Sequence, residues 1–366
     1  MDNFTKGGNG MKFIHIADLH IGAKPDAVYP WGAEREKEII HSFHKIIDIC
    51  NEQEIELLLI AGDLFHRQPL IRELKEISYQ FDKLKKTQVV FIAGNHDYIS
   101  GRSNYTGFEW GERVHMLMEA SLDSIYLEEI NTEVYGLSYH SRFITEPLYD
   151  MARPGCEERI NILLAHGGNE KDIPMDKKAL QSSGFDYIAL GHIHKPQIFN
   201  DRMAYAGSLE PLDKTETGER GYILGEINKE YETSKISIQF IPASIREYKK
   251  LEFNIHPGIT NGALLDLVQD KIRENGSNNI YLLRFTGIRD TDIIFHEEDF
   301  IRLGNILEVI DDTVPDYDFE ALSQANQDNI IGFYIQGIKE RTNQDEVGKK
   351  ALYYGIEALL GAKNYK

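Results

Sequence analysis

Between residues 11 and 200 the chain alternates short apolar runs with longer stretches that repeat every three to four positions. Phe13-Ile14-His15-Ile16, Leu57-Leu58-Leu59-Ile60, Val89-Val90-Phe91-Ile92, Ile162-Leu163-Leu164 and Tyr187-Ile188-Ala189-Leu190 read as buried strands. Glu34–Gln53 places Ile39, Phe43, Ile46, Ile47 and Cys50 on one helical face, and Leu70–Lys85 does the same with Leu70, Leu74, Ile77, Phe81 and Leu84. This β-α-β-α-β order predicts an α/β fold with a mostly parallel core sheet. After Gly191 the pattern changes. Segments around 204–206, 222–227 and 236–241 read as consecutive strands joined by turns, so antiparallel strands complete the sheet.

A second unit is expected from about Ser244–Lys250 onward. Gly258–Glu274 and Glu297–Leu303 read as helices, and Asn279–Phe285 and Ile306–Ile310 as strands. Asn326–Glu340 and Asp345–Leu360 read as terminal helices, with Thr342 and Asp345 as an N-cap pair for the last. That last helix carries one stripe of Val347, Ala351, Tyr354, Ala358 and Leu359. Leu352, Tyr353, Ile356 and Leu360 add a second. So wide an apolar surface wants burial, either on its own domain or on a partner.

Composition adds limits. The 366 residues are 42% hydrophobic and 27% charged, ordinary for a globular chain. No apolar run approaches the ~20 residues of a membrane span. Residues 1–10 are polar and glycine-rich and read as a flexible leader. Cys50 and Cys156 form no framework, as expected of a cytoplasmic protein. The net charge of −19 is spread over the chain with no dense basic cluster. It argues against tight nonspecific DNA binding by this chain alone.

Candidate chemistry lies directly after the predicted strands: Asp18-Leu19-His20, Gly62-Asp63-Leu64-Phe65-His66, Gly94-Asn95-His96-Asp97, Ala165-His166-Gly167 and Gly191-His192-Ile193-His194. Polar residues past the carboxyl ends of buried strands mark an α/β active site. A binuclear site needs a carboxylate bridging two cations, each with further ligands. Asp18, His20, Asp63, Asn95, His166, His192 and His194 supply that inventory, with Asp63 placed to bridge. Mixed imidazole and carboxylate donors suit Mn, Fe or Zn. Singly, each motif is no more than a turn or a cap; in this order after these strands, chance is a poor account.

These motifs, complete and in order, resemble the calcineurin-like metallophosphoesterase signature. The resemblance implies a four-layer αββα β-sandwich flanked by helices. It implies one cation on Asp18, His20, Asp63 and His194, and a second on Asp63, Asn95, His166 and His192. His96 would be the catalytic histidine, oriented by Asp97, and His66 a second catalytic candidate. Gly191-His192-Ile193-His194-Lys195-Pro196-Gln197, followed by Tyr205-Ala206-Gly207-Ser208-Leu209, is similar to SbcD-type DNA repair nucleases. So is Ile14-His15-Ile16-Ala17-Asp18-Leu19-His20-Ile21-Gly22. That branch implies a nuclease domain over 11–245, a small α/β capping domain over 246–341 and a terminal segment, 342–366, that docks a partner. It further implies manganese, DNA as substrate, an SMC-like ABC ATPase of the SbcC type as partner, and a homodimer. A small-molecule phosphodiesterase or phosphatase on the same fold stands as the alternative, which the acidic charge favours.

Overall fold

A computed structural model describes residues 10–231, 233–341 and 346–364. The predicted leader, the N-cap pair Thr342 and Asp345, and the last two residues lie wholly or mostly outside them. The chain divides into two compact units, residues 1–248 and 249–366.

The first unit is a sandwich of two six-stranded sheets. The first sheet holds β1 (Met11–Ile16), β2 (Leu57–Ala61), β3 (Gln88–Ile92) and β4 (Val114–Met116), all parallel. It is completed by β11 (Gly221–Glu230) and β12 (Thr233–Pro242), which pair antiparallel beyond β1. The second sheet runs in the order β5 (Asp123–Leu127), β6 (Thr132–Gly136), β7 (Ile160–His166), β8 (Tyr187–Gly191), β10 (Met203–Tyr205), β9 (Gln197–Asn200).

The strands are continuous apolar runs because both faces of each sheet are covered. Between the sheets, Phe13, Leu57, Leu59, Val90 and Ile92 meet Val134, Ile162, Leu164, Tyr187 and Ala189. On the outer face of the first sheet, Ile14, Ile16, Leu58, Ile60 and Phe91 meet α1 (Gly32–Glu52) and α2 (Ile71–Phe81). The outer face of the second sheet is covered by α3 (Lys177–Gln181) and by aromatics from loops, including Tyr139, Tyr149 and Phe185. The layers are therefore α-β-β-α.

Two local differences from the sequence reading have plain causes. The second helix stops at Phe81, four residues early, because Asn51 of α1 captures the Lys83 carbonyl and the Lys85 N–H. Leu84 still reaches the core from the resulting turn. The face of α1 is not purely apolar: Arg35, Glu38 and Ser42 are also buried on it. Arg35 donates to Glu38 and to the Pro211 carbonyl, while Ser42 and the Ile245 N–H donate to Glu210.

In the second unit, β14 (Ile280–Arg289) pairs in parallel with β15 (Ile306–Asp311) and β16 (Val314–Pro315), and β13 (Tyr248–Ile255) flanks it. Leu264, Val268 and Ile272 of α4 (Asn261–Asn275) and Phe300 of α5 (Glu297–Ile301) pack on this sheet. Three helices follow: α6 (Phe319–Ala325), α7 (Ile330–Arg341) and α8 (Glu346–Asn364). Of the two apolar stripes on α8, the one carrying Leu352, Ile356 and Leu360 packs against Ile331, Ile335 and Leu322. On the other stripe, Val347 and Tyr354 remain 76% and 70% exposed. No helix among the described residues is long and apolar enough to cross a membrane.

Candidate metal centre

The loops leaving β1, β2, β3, β7 and β8 converge at one end of the sandwich. The β1–β2 pairing continues past the strands: Asp18 N–H donates to the Gly62 carbonyl, His20 N–H to the Asp63 carbonyl and Ile21 N–H to the Leu64 carbonyl. The second sheet is stitched to this ribbon by the His192 N–H, which donates to the Asp18 carboxylate at 3.0 Å. Four of the residues so placed have left-handed backbone: Asp18 (φ 52°), His20 (50°), Asp63 (51°) and His192 (93°). Strain of this kind persists only where surrounding structure imposes it, and it gathers at functional sites. Two glycines permit the approach. A Cβ on Gly62 would strike the His166 ring, and one on Gly94 would strike the Asp63 carboxylate.

The side chains form a buried cluster of lone pairs. Nε2 of His20 lies 3.0 Å from Nε2 of His194. Asp63 Oδ2 sits between Nε2 of His20 at 3.6 Å and Nε2 of His166 at 3.4 Å. Asn95 Oδ1 faces Nε2 of His166 at 3.0 Å and Nδ1 of His192 at 3.3 Å. The outward nitrogens are anchored. His166 Nδ1–H donates to the Ala61 carbonyl at 2.8 Å, and His194 Nδ1 pairs with Glu216 Oε1 at 2.6 Å. His192 Nε2 meets the Asn169 amide at 2.6 Å and Asp172 Oδ2 at 3.5 Å.

Protonation follows from this crowding. Burial alone would lower the His166 pKa, but Asp63 and Asp18 outweigh it and raise it to about 9. Burial, together with the His166 charge, lowers His192 to about 3. Burial raises Asp18 to about 6 against the pull of His194 and His166. Burial would raise Asp63 too, yet His166 and His20 hold it well below the ordinary carboxylate range. Protons on imidazole thus balance carboxylates that no water reaches.

This donor set fits divalent cations. Asp18, His20 and His194 offer ligand atoms within 4.8 Å of one another, and so do Asp18, Asp63 and His166. Nε2 of His166 and Oδ1 of Asn95 are both acceptors once His166 is neutral, so their contact calls for a positive charge between them. Asp63 is the carboxylate standing between the histidines of both groups.

His66 and His96 lie at the rim. Their rings stack with centroids 5.1 Å apart, and His66 Nδ1 is 3.3 Å from His20 Nδ1. His96 N–H donates to Asp63 Oδ1 at 2.9 Å, and its Nδ1–H donates to the His66 carbonyl at 3.1 Å. The orienting role expected of Asp97 is corrected here. Its carboxylate accepts from the Gly94 N–H, the Phe65 N–H and the Tyr105 hydroxyl, and none of these bonds reaches the His96 ring. Burial, reinforced by the Asp63 charge, raises Asp97 to about 7. It is a clasp between the β2 and β3 loops, and the His66 carbonyl orients His96 instead.

Glu216, Asn169 and Asp172 escaped the sequence reading. Glu216 lies in a Glu-Thr-Gly-Glu turn and reaches His194 only through tertiary folding, so nothing local marks it. Asn169 and Asp172 follow His166-Gly167-Gly168, where the glycine pair was the one available sign of a sharp return.

The calcineurin-like phosphoesterase family matches residues 11–196, and the chain belongs to it. It is a metal-dependent phosphoesterase that uses divalent cations. It is also 29% identical over 294 residues to YhaO, an uncharacterized metallophosphoesterase of Bacillus subtilis (strain 168). That likeness covers 73% of this chain and 69% of the relative.

Proposed function

We propose that the protein hydrolyses phosphodiester bonds in DNA, as an SbcD-type nuclease that acts with an SMC-like ABC ATPase of the SbcC type. Asp18, His20, Asp63 and His194 would hold one cation, and Asp63, Asn95, His166 and His192 the other. Manganese is the proposed metal, in keeping with the mixed nitrogen and oxygen donors. When bound, such cations neutralise phosphoryl charge and lower the pKa of water to make a nucleophile.

The chain's own residues do the remainder. His96 is pinned at two points, by its N–H to Asp63 and by its ring Nδ1–H to the His66 carbonyl. Nε2 is then the ring atom left to meet a phosphoryl or leaving oxygen and to donate a proton there. His66 stacks on that ring and limits its rotation. Asp97 keeps the two loops carrying these histidines in register.

The observation that carries this reading is the pinned His96 beside the buried cluster. Its test is His96→Ala, which retains both cations and loses on the order of 10²–10⁴-fold in turnover. Near-normal turnover at unchanged metal content would overturn it. The DNA substrate is supported by the resemblance of Gly191–Gln197 and Tyr205–Leu209 to the SbcD branch, and by the α/β unit that follows the first unit in chain order, as that branch's capping domain does. The exposed Val347 and Tyr354 of α8 are the proposed contact with the ATPase, and a homodimer belongs to the same proposal. One observation favours the second reading, a small-molecule phosphodiesterase: the net charge of −19. Labelled DNA set against bis(p-nitrophenyl) phosphate, each with Mn²⁺ and with chelator, separates the two. Turnover of the small diester with DNA untouched would sink the nuclease reading.

A further inference from the structure

The loop after β6 leaves the metal centre and returns to it within a few residues. At its start, Tyr139 N–H donates to the Ala93 carbonyl and its hydroxyl to the His166 carbonyl. At its return, Ile144 N–H donates to the Lys171 carbonyl at 3.1 Å and the Ile144 carbonyl accepts from Ile173 N–H at 2.7 Å. Ile144 is thereby bridged to Asp172, whose carboxylate is 3.5 Å from His192. Arg142 and Phe143 therefore sit on a short bend fixed at both ends to residues that touch the centre.

Phe143 points its ring into solvent, 59% exposed, with the Arg142 guanidinium 5.7 Å from its centroid. A lone exposed apolar side chain needs no explanation by itself. Here the ring adjoins Ile144, whose bridge ties this bend to the loop that carries Asp172 to His192. It stands beside one cation, Arg142, on the loop paired with the exposed Lys171. A flat apolar face next to positive charge is what a nucleobase and its flanking phosphate require. Glu146 and Glu170 are also exposed on these two loops, so the rim carries little net charge. Affinity there must come from the ring more than from attraction to phosphate.

We propose that Phe143, with Arg142 beside it, is a base-stacking platform at the rim of the metal centre, and that the ligand is a single nucleic-acid strand. The proposal rests on the phosphoesterase site described above and names the substrate class it takes. Base–aromatic stacking contributes enough that alanine at such a position weakens binding on the order of tenfold. Two phosphate contacts, from Arg142 and Lys171, predict a shallow salt slope of roughly −1.4 in log affinity against log salt.

The experiment measures binding of a short labelled single-stranded deoxyoligonucleotide by fluorescence anisotropy, in chelator, so that cleavage does not intrude. An otherwise identical abasic strand is the comparison. The wild-type chain should prefer the intact strand on the order of tenfold. Phe143→Ala should erase that preference, and Phe143→Trp should restore it. Arg142→Ala should weaken both strands alike and flatten the salt slope. An intact-to-abasic ratio in Phe143→Ala equal to wild type, or no preference in wild type, overturns the platform. Because the readout is a ratio, general loss of folded protein cancels from it. If the preference depends on Phe143 while no metal supports DNA cleavage, the platform stands and the nuclease reading falls.

Discussion

Replacing Glu216 by alanine leaves His194 Nδ1–H without its acceptor. The bond is short, 2.6 Å, and the carboxylate is itself held by the Leu212 N–H at 2.9 Å. Together these fix which nitrogen of His194 carries the proton and aim Nε2 at His20. A carboxylate behind a ligating histidine typically contributes 10–100-fold in metal affinity, which corresponds to about 1.4–2.7 kcal/mol. A charge-assisted hydrogen bond contributes about 1.5–3 kcal/mol, so the two scales agree. Both groups are partly exposed, at 25% and 16%, so the lower half of the range applies. The expected result is about tenfold weaker binding at the position shared by Asp18, His20 and His194, with the other position little changed. Glu216→Gln, which keeps an acceptor oxygen, should recover most of the loss. Calorimetric titration with Mn²⁺, with metal content counted by mass spectrometry, reads both positions. Equal weakening at the two positions, or a glutamine variant as poor as alanine, would refute the reasoning.

Asp63→Ala should empty both positions, because its Oδ2 lies between the histidines of each group; two cations retained after gel filtration would show that another residue bridges. Asp97→Asn should cost about 1–3 kcal/mol in denaturant unfolding, since an amide cannot accept from Gly94, Phe65 and Tyr105 as the carboxylate does. A variant as stable as wild type would argue against the clasp. Metal affinity should rise with pH. His166, raised to about 9, is protonated at neutral pH and must lose that proton to ligate, so affinity gains up to about tenfold per pH unit below 9 and levels off above it. Calorimetry in buffers of different ionisation enthalpy should detect at least one proton released per chain at pH 7; no release would contradict the assigned protonation.

Periodicity along the chain predicted the β-α-β-α-β order and a mostly parallel sheet, because strands covered on both faces must be continuous apolar runs and helices covered on one face must repeat every 3.6 residues. The four-layer αββα arrangement was implied only by the resemblance of the motifs, and the sorting of the later strands between two sheets belongs to the tertiary structure. The local rule of periodicity identified α1, α2 and α4 to within a few residues. It also identified the antiparallel pair of β11 and β12. It was silent where burial is polar. Arg35, Glu38 and Ser42 interrupt the apolar face of α1, and only the distant Glu210 and Pro211 make their burial tolerable. It was ambiguous on α8, where the packing on α7 covers Leu352, Ile356 and Leu360 together with Leu359 of the other stripe and leaves Val347 and Tyr354 exposed.

The motifs stated which residue types stand after which strands. Their mutual geometry belongs to the tertiary structure. Asp97 adjoins His96 in sequence, yet adjacent side chains leave the backbone in different directions, and its carboxylate turns to Gly94, Phe65 and Tyr105. Glu216 is separated from His194 by more than twenty residues and meets it through a loop with no pattern of its own. Phe143 reads in sequence as an unremarked loop residue; the bridge from Ile144 to Asp172 ties its loop to the one that reaches His192. Short-range periodicity encodes burial because burial repeats along the chain. Contacts between side chains on separate loops do not repeat, and only the closed sandwich specifies them.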